Sequence, residues 1–513
     1  MFNFGFSYVG VIYLLMLFIP NIIWAKNPPE GYTSEGESKV LGIIEKIGQV
    51  LCTAIVLVFR EFNIREGVWI LWLVVSFVLM VLYEIYWIRY FKSAKTLEDQ
   101  YKPFLGISVP GASLPVVAFL LLGIYGTNIF LIIASVFLGI GHIGIHLGHC
   151  KGLDLPKKKL GIKILNVVGC VILGLFLAVV SFFVGARNIN YMKHYKLIVN
   201  GVDEGIYQEL GGQEQYLLVR GADVNNPVII FLHGGPSSPE SYENYVWVDD
   251  VLEKYTVIDW DQRGCGRTYM HNIENDPNND TASYAQALTD LDELVDYACN
   301  RFGKDKVILV GHSYGTVLAS SYIEQHPEKV SDYVAIAQVI SMDINNRSLA
   351  SDALENAKKS GADVTALNAA LANYNANSCI STTMALRQEA MGFMPTPLPE
   401  NTVYLAMTSP YMGWRDFAWF MKQLQPMDDY IKLNQQLYDS LLDFDLYNIE
   451  MSENIPITYI SATRDYACPH TTIEDYLAEC RPNAPYILLQ DSGHNIQYTL
   501  PHDVSRIVMD ALD

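Results

Sequence analysis

Long apolar runs alternate with short polar loops in the first third of the chain. Each run approaches the ~20 residues that an α-helix needs to cross the hydrocarbon core of a bilayer. The six runs that meet this length lie at residues 5–25, 40–59, 67–88, 106–125, 129–148 and 161–185. The pattern therefore predicts an all-α transmembrane domain of about six helices over residues 1–186.

The pattern changes after Arg187, where short apolar runs begin to alternate with segments of helical length. The runs that predict strands lie at residues 228–232, 256–260, 306–310, 333–339, 455–460 and 486–489. Residues 192–220 predict an antiparallel hairpin ahead of them. Strands that alternate with helices are typical of a mostly parallel, doubly wound sheet. The second part of the chain is therefore predicted to be an α/β domain.

Between residues 343 and 454 this alternation stops. The stretch is rich in alanine, leucine, methionine and aromatic residues, which predicts a mainly helical segment. Because it separates two predicted strands of one sheet, we interpret it as an insertion that forms a helical cap over the site. The predicted α/β core then consists of residues 187–342 and 455–513.

The charge of the chain changes at the same boundary. Residues 1–186 contain 14 Lys or Arg and 10 Asp or Glu residues, whereas residues 187–513 contain 21 and 45. A domain this acidic should repel nucleic acids and anionic lipid head groups, and the sequence contains no basic stripe. The eight cysteines include no C-x-x-C pair, so the sequence predicts neither a zinc ribbon nor a redox dithiol.

Basic residues in the loops predict the orientation of the spans. The loops after the first, third and fifth predicted spans contain ten Lys or Arg residues, and those after the second and fourth contain two. Basic loops tend to stay in the cytoplasm. The N-terminus and the α/β domain are therefore predicted to lie outside the cytoplasm. A difference of one span would move the α/β domain to the cytoplasmic side.

The fifth predicted span contains three histidines, His142, His146 and His149. Their spacing places them on one face of a helix, and Glu84 near the end of the third span could face them. Ionisable side chains inside a membrane are often functional, and His and Glu can bind metal ions. A polar contact between two helices explains the same pattern, so the sequence leaves both interpretations open.

A serine motif marks the candidate chemistry of the α/β domain. Gly311-His312-Ser313-Tyr314-Gly315 matches the pattern G-x-S-x-G, and it follows a predicted strand and precedes a predicted helix. In that context the motif forms a nucleophile elbow, which raises the serine hydroxyl above the sheet. The sequence therefore predicts an α/β-hydrolase fold with Ser313 as the nucleophile.

A serine nucleophile needs a histidine base and an acid that orients the histidine. In this fold the three residues occur along the chain in the order serine, acid, histidine. Asp465 follows the first predicted strand after the insertion, and His494 follows the last predicted strand. We therefore predict the catalytic triad Ser313, Asp465 and His494. Asp491 is the competing candidate for the acid, although it lies on the same loop as His494.

The reaction also needs hydrogen-bond donors for the negative charge that develops on the substrate oxygen. In this fold the donors are the backbone amide after the nucleophile and one amide from the loop after an earlier strand. The first is predicted to be the amide of Tyr314. The second belongs to the Gly234-Gly235 segment, where we favour Gly235. The sequence identifies no substrate-binding side chain, and we expect no cofactor and no metal ion.

Three further motifs follow predicted strands of the α/β domain. They are His-Gly-Gly-Pro at 233–236, Asp-Gln-Arg-Gly-Cys-Gly-Arg at 261–267, and Asp465-Tyr-Ala-Cys-Pro at 465–469. Together they resemble the proline iminopeptidases, or prolyl aminopeptidases, a branch of the α/β-hydrolase superfamily. The resemblance covers most of residues 225–340 and 455–500 and does not include the apolar spans.

The resemblance implies an enzyme that removes an N-terminal residue, often proline, from peptides, with the triad at Ser313, Asp465 and His494. Members of this family bind the free amine of the substrate with acidic residues, partly from the cap. Acidic residues of the predicted cap that could do so are Glu355, Glu389, Asp428 and Asp429. The sequence departs from the family pattern next to the oxyanion loop and the acyl pocket, at Ser237, His312 and Tyr314.

We therefore predict a membrane-anchored serine hydrolase, an aminopeptidase that acts on short peptides. An esterase or lipase with the same triad is one alternative, and a non-enzymatic membrane sensor or binding protein is another. An acidic pocket able to hold an ammonium group favours the peptidase, whereas an apolar acyl tunnel favours the esterase. A complete triad in the expected order argues against the binding protein.

Overall fold

The computed structural model describes residues 4–65, 69–153, 155, 160–194 and 200–513. The chain divides into two compact units, Met1–Lys193 and His194–Asp513. Residues 157–159, three lysines that contribute to the predicted orientation, lie outside the described residues.

The described part of the first unit is a bundle of α-helices. The helices are α1 (Tyr8–Ala25), α2 (Lys39–Val58), α3 (Ile70–Phe91), α4 (Leu97–Tyr101), α5 (Pro110–Tyr125), α6 (Ile129–Leu138), α7 (Gly144–His149) and α8 (Leu160–His194). A π-helical turn at Gly139–Ile143 joins α6 to α7, so that the two form one continuous helix. Apolar side chains of α1, α2, α3, α5 and α6 pack into one core, which holds the bundle together.

Among the described residues, five helices are long and apolar enough to cross a membrane. They are Tyr8–Ala25, Lys39–Val58, Ile70–Phe91, Ile129–His149 and Val167–His194. The fourth of the six predicted spans differs, because its helix begins only at Pro110, a residue suited to the first turn. Its 16 residues extend about 24 Å, less than the ~30 Å of the hydrocarbon core. Most of its side chains are buried inside the bundle.

The second unit is built on an eight-stranded mixed sheet. Its strands are β1 (Val202–Leu210), β2 (Gln213–Gly221), β3 (Val228–Leu232), β4 (Thr256–Asp261), β5 (Val307–His312), β6 (Val330–Ile336), β7 (Ile457–Ala462) and β8 (Tyr486–Leu489). The strand order is β1-β2-β4-β3-β5-β6-β7-β8. β2 pairs antiparallel with β1 and β4, and the remaining neighbours are parallel. The predicted α/β fold with a mostly parallel sheet is confirmed.

Helices cover both faces of the sheet. They are α9 (Tyr245–Val248), α10 (Gly266–Asn272), α11 (Tyr284–Phe302), α12 (Tyr314–Gln325), α20 (His470–Cys480), α21 (Ile496–Thr499) and α22 (Pro501–Leu512). Successive side chains of a strand point to opposite faces. Ile230 and Leu232 of β3 therefore pack with α11 and α12, whereas Ile229 and Phe231 pack with α9 and α22.

Between β6 and β7 the backbone is described throughout and forms seven α-helices. They are α13 (Met342–Ser360), α14 (Thr365–Ala376), α15 (Ile380–Met391), α16 (Thr402–Thr408), α17 (Trp414–Gln423), α18 (Met427–Leu433) and α19 (Gln435–Asp443). α13, α14 and α15 share a small apolar cluster of their own, which includes Leu349, Leu367 and Leu386. The stretch that interrupts the alternation in the sequence is thus helical and partly stabilised by its own core.

Candidate active site

Ser313 lies in a sharp turn between the end of β5 and the start of α12. Its φ of 52° falls in a region that non-glycine residues seldom adopt, and its amide donates a 3.0 Å hydrogen bond to the carbonyl oxygen of Ile336. A Cβ at Gly315 would collide with the carbonyl oxygen of Leu232 on β3. The turn therefore needs glycine beside the serine, because α12 begins in contact with a neighbouring strand.

The three predicted triad side chains lie together where the loops after β5, β7 and β8 meet. The Oγ of Ser313 is 2.8 Å from Nε2 of His494. The Nδ1 of His494 is 3.0 Å and 2.9 Å from the two carboxylate oxygens of Asp465. This arrangement allows His494 to accept the serine proton while Asp465 holds the imidazole through its Nδ1–H.

Asp465 is buried and accepts 2.9 Å hydrogen bonds from the backbone amides of residues 467–468. Burial alone would raise the pKa of Asp465, but the charge and hydrogen bond of His494 and the two amides outweigh it and lower the pKa. Asp491, the competing candidate, is exposed and forms an ion pair with Arg464. The geometry thus joins His494 to Asp465 and leaves Asp491 outside the hydrogen-bonded chain.

The two predicted oxyanion donors lie on either side of Ser313. Tyr314 follows it in the chain, and the loop at Gly234 packs against it, since a Cβ at Gly234 would lie 3.1 Å from the Ser313 Cβ. The amide of Gly234 already donates to Oε1 of Glu240 at 3.0 Å. The amides of Gly235 and Tyr314 have no acceptor among the described residues, so both are available to a substrate oxygen.

Residues 227–501 match the model of a protein family described by its alpha/beta hydrolase fold. The match extends over more than half of the chain and includes Ser313, Asp465 and His494. The chain belongs to the α/β-hydrolase family. This membership agrees with the mixed sheet and with the sharp turn at Ser313.

Curated relatives of this α/β-hydrolase are named as peptidases. The probable aminopeptidase YbaC of Bacillus subtilis is 32% identical over 132 residues, which are 26% of this chain and 40% of the relative. A proline iminopeptidase of Saccharolobus solfataricus is 34% identical over 139 residues, again 26% of this chain and 40% of the relative. The chain therefore spans 40% of the length of these two relatives. The resemblance to the proline iminopeptidase branch is confirmed.

A solved structure with a related description is that of a proline iminopeptidase-related protein from Thermus thermophilus. It is 19% identical to this α/β-hydrolase, with a TM-score of 0.43, and the match covers 61% of this chain and 97% of that chain.

A second imidazole–carboxylate pair lies next to the triad of the α/β-hydrolase. Nδ1 of His312 is 2.7 Å from Oε1 of Glu240, and Nε2 of His312 donates to the carbonyl oxygen of His494 at 3.1 Å. The other oxygen of Glu240 accepts 2.9 Å hydrogen bonds from Gln497 and Tyr498. The pair therefore connects the nucleophile strand, the oxyanion loop and the loop that carries His494.

The charges of this pair stabilise each other. Burial alone would raise the pKa of Glu240, but the charge and hydrogen bond of His312 and the amide of Gly234 lower the pKa to about 2. Burial alone would lower the pKa of His312, but the charge and hydrogen bond of Glu240 outweigh it, so that the pKa of His312 is raised. Glu240 and His312 thus form a buried ion pair.

We expect Glu240→Gln to lower the free energy of unfolding by about 3 kcal/mol at neutral pH, because it leaves the buried His312 without its counter-ion. The pKa of Glu240 in the folded chain, about 2, lies below its ordinary value of 4.5. Its stabilising effect is therefore complete above pH 4.5 and is lost as the pH falls towards 2. Denaturant unfolding of the detergent-solubilised chain at pH 7 and pH 3 measures both effects.

Glu243→Gln is the matched control, because Glu243 lies on the same loop and its carboxylate has no hydrogen bond among the described residues. Because burial raises the pKa of Glu243, its carboxylate adds no stability at neutral pH, and this substitution should not lower the free energy of unfolding. Equal losses for the two variants would contradict the specific role of the Glu240–His312 pair.

Ser313, His494 and Gly235 line a cavity of about 410 Å³. Its lining includes apolar side chains from the helices between β6 and β7, among them Met342, Val403, Phe420 and Leu441. The charged side chains in the wall are Glu240, Glu243, His312 and Arg387. The cavity therefore combines an apolar surface with a small number of charges, as ligand sites commonly do.

Of the four acidic residues that the sequence suggested for binding an amine, the three whose side chains the structure describes do not line this cavity. Glu355 pairs with Lys359 at 2.7 Å and lines a separate pocket. Glu389 and Asp429 are absent from the lining, and the side chain of Asp428 lies outside the described residues. The sequence did not identify the two glutamates that do line it, Glu240 and Glu243, which both come from the loop after β3.

Among the described residues, one group of His, Cys, Asp or Glu side chains has at least three ligand atoms close enough to share a metal ion. It consists of Asp465, Cys468 and His494, whose ligand atoms lie within 4.8 Å of one another. Both oxygens of Asp465 and Nδ1 of His494 already take part in hydrogen bonds. The donor set therefore suits proton transfer at Ser313 better than metal binding.

Proposed function

We propose that the protein is a membrane-anchored serine aminopeptidase that releases N-terminal residues from short peptides. The observation that carries the proposal is the unbroken chain of hydrogen bonds from Ser313 through His494 to Asp465, with lengths of 2.8 Å and 2.9 Å. The relatives named as aminopeptidase and proline iminopeptidase support a peptide substrate.

In the proposed mechanism, the Oγ of Ser313 attacks the carbonyl carbon of the scissile bond while Nε2 of His494 takes its proton. The negative charge on the carbonyl oxygen is stabilised by the amides of Gly235 and Tyr314. His494 then gives the proton to the leaving amine, the C–N bond breaks, and an acyl-enzyme remains on Ser313. A water molecule, deprotonated by His494, releases the amino acid and restores the serine.

Glu243 supports a substrate with a free amine. It is buried in the cavity wall, and its carboxylate has no hydrogen-bond partner among the described residues. Burial and the neighbouring charges of Glu240 and Glu400 raise the pKa of Glu243 well above its ordinary value. A substrate ammonium group would supply the counter-ion that this carboxylate lacks, which favours a peptidase over an esterase.

The five helices that could cross a membrane by length and composition support the anchor. Ten basic residues lie in the loops after the first, third and fifth predicted spans, and two lie in the loops after the second and fourth. This distribution fits the tendency of basic loops to stay in the cytoplasm if Pro110–Tyr125 also crosses the membrane, as a short sixth span. In that arrangement the hydrolase lies outside the cytoplasm, where it would act on peptides near the membrane.

Labelling with a fluorophosphonate probe tests the proposed nucleophile. We expect the purified full-length chain to be labelled, Ser331→Ala to be labelled equally, and Ser313→Ala to be unlabelled. Among the serines that the structure describes, Ser313 is the one whose hydroxyl contacts a histidine base. A membrane-impermeant form of the probe, applied to intact spheroplasts, should label the chain if the hydrolase lies outside the cytoplasm.

The labelled protein is then assayed with aminoacyl-naphthylamides beside short acyl esters. Cleavage of the naphthylamides supports the aminopeptidase. Cleavage of the esters alone would assign the triad to an esterase, and the absence of labelling in the wild type would overturn the enzyme proposal.

A further inference from the structure

Arg387, on α15, lies in the wall of the triad cavity. Its Nε donates to Oδ1 of Asn346 at 2.8 Å, and its Nη2 donates to the carbonyl oxygen of Ala467 at 3.1 Å. Nη2 also lies 3.6 Å from Sδ of Met342. All three acceptors are neutral, and Nη1 has no acceptor among the described residues. Three other arginines of the unit that are buried or partly buried each have a carboxylate partner: Arg220 with Asp259, Arg263 with Asp290, and Arg267 with Asp416.

Arg387 is partly buried in the cavity wall. A partly buried guanidinium without a counter-ion is unfavourable, because it loses hydration and gains no equivalent attraction. Burial lowers the pKa of Arg387, although nearby acidic groups, among them Asp465, oppose the shift. Asp465 is engaged elsewhere, since its oxygens bind His494 and the amides of residues 467–468. Arg387 therefore lacks an anion that a ligand in the cavity could supply.

The cavity also contains the opposite charge without a partner. Glu243 lies on the loop after β3, three residues beyond Glu240, which binds the amide of Gly234. Arg387 instead binds the loop that follows Asp465. The lining of the cavity thus carries an unpaired carboxylate from the loop after β3 and, from α15, a guanidinium that has no carboxylate partner.

We propose that Arg387 binds the C-terminal carboxylate of the substrate, so that free dipeptides are the preferred substrates. The inference rests on the aminopeptidase function proposed above. A dipeptide carries an ammonium group on one side of its peptide bond and a carboxylate on the other. It therefore supplies a partner to Glu243 and to Arg387 while its carbonyl carbon meets Ser313. A cavity of about 410 Å³, near the lower end of the range for small ligands, suits such a substrate.

The planar guanidinium is suited to this role, because its fixed N–H groups match the two oxygens of a carboxylate. In a longer peptide or a dipeptide amide, a neutral amide occupies the place of that carboxylate. Arg387 would then gain no charge-assisted hydrogen bond, and its desolvation would remain uncompensated. If Arg387 binds the carboxylate, the enzyme should therefore cleave the free acid more efficiently than the amide.

The test compares kcat/KM for alanyl-alanine and alanyl-alaninamide, and for the same pair with prolyl in place of alanyl. For the wild-type chain in detergent, we expect kcat/KM to be about 10- to 100-fold higher for the free acid than for the amide. This ratio corresponds to the free energy of one hydrogen bond to a charged group. Arg387→Gln should remove this preference by lowering kcat/KM for the acid and sparing the amide. Arg387→Lys should keep part of it, because the positive charge remains.

Arg347→Gln is the matched control, since Arg347 is an exposed arginine of the same helical region that pairs with Asp343. It should retain the wild-type preference. Equal turnover of acid and amide by the wild type would overturn the inference without affecting the proposed function. Equal losses for both substrates in Arg387→Gln would overturn it as well, because that is the effect of a merely structural arginine.

A different result would exclude the proposed aminopeptidase function itself. If the wild type cleaves neither the dipeptides, nor the amides, nor an aminoacyl-naphthylamide, both the aminopeptidase and the dipeptide preference are excluded. If Arg387→Gln does not fold, the inference is still tested by the ratio of kcat/KM for the free acid to kcat/KM for the amide. This ratio is then compared between the wild type and Arg387→Lys.

Discussion

Replacing His494 by alanine is expected to lower kcat for an aminoacyl substrate on the order of 10⁶-fold, with little change in KM. Without the imidazole, no group can take the proton from the Oγ of Ser313, which lies 2.8 Å from Nε2 of His494. The serine then reacts only through the amides of Gly235 and Tyr314 and through substrate binding, which leave a small residual rate. Single-turnover measurements of acyl-enzyme formation separate this loss from effects on binding.

His326→Ala is the matched control, because His326 lies at the end of α12, outside the cavity, with its side chain about a third exposed. It should retain wild-type kcat. Substantial activity in His494→Ala would point to another base, and His312 is the candidate to examine, since its ring centroid is 5.1 Å from that of His494. His312 is already bonded to Glu240, so we do not expect this outcome.

The serine turn could be predicted from sequence because its geometry is local. Gly311 and Gly315 are close to Ser313 in the chain, and the crowding that requires glycine there involves the adjacent strand and the helix that follows. The order of Asp465 and His494 after the serine is also readable, because each follows a strand that the apolar pattern predicts. The pattern matched β3 and β8 to the residue, at 228–232 and 486–489.

β6 shows where the apolar pattern is less accurate. The sequence predicts a strand at residues 333–339, but β6 extends over Val330–Ile336. Ala337 has a φ of 52°, so the backbone leaves the sheet there, although the apolar run continues to Val339. A hydrophobic run reports burial, and Val339 is buried at the cavity instead of in the sheet.

Glu240, Glu243 and Arg387 could not be predicted, because their roles depend on partners far away in the chain. Glu240 acts through His312, which is 72 residues away. Arg387 is notable only for lacking a carboxylate, which no sequence pattern reveals. The one available signal was the presence of two glutamates close behind the His-Gly-Gly-Pro motif.

Ser237 is a departure from the family pattern that the structure accounts for. Its φ of 69° lies in the left-handed region, where glycine is favoured. Its Oγ donates a 2.7 Å hydrogen bond to Oδ1 of Asn434, and its carbonyl oxygen accepts from Tyr430 at 2.8 Å. These contacts from the helical region offset the strain of a non-glycine residue beside the oxyanion loop.

Replacing Asp465 by asparagine is expected to lower kcat about 10⁴-fold. Both carboxylate oxygens of Asp465 face Nδ1 of His494, at 3.0 Å and 2.9 Å. An amide in their place can present its N–H₂ to Nδ1, which favours the tautomer with the proton on Nε2 and removes the acceptor for the Ser313 proton. Asparagine is similar in volume to aspartate. The KM and the free energy of unfolding should therefore remain close to those of the wild type.

Asp491→Asn is the control that separates the two acids considered from the sequence. Asp491 is exposed, pairs with Arg464 and has a φ of 61°, a conformation that asparagine tolerates well. Its kcat should stay within about twofold of wild type, as for most surface substitutions. Because the pKa of Asp465 lies below its ordinary value, its carboxylate is ionised across the neutral range, and Asp465→Asn should lower kcat throughout that range. A large loss in Asp491→Asn with activity preserved in Asp465→Asn would reassign the acid, since the orienting carboxylate must be the one whose removal misplaces the proton of His494.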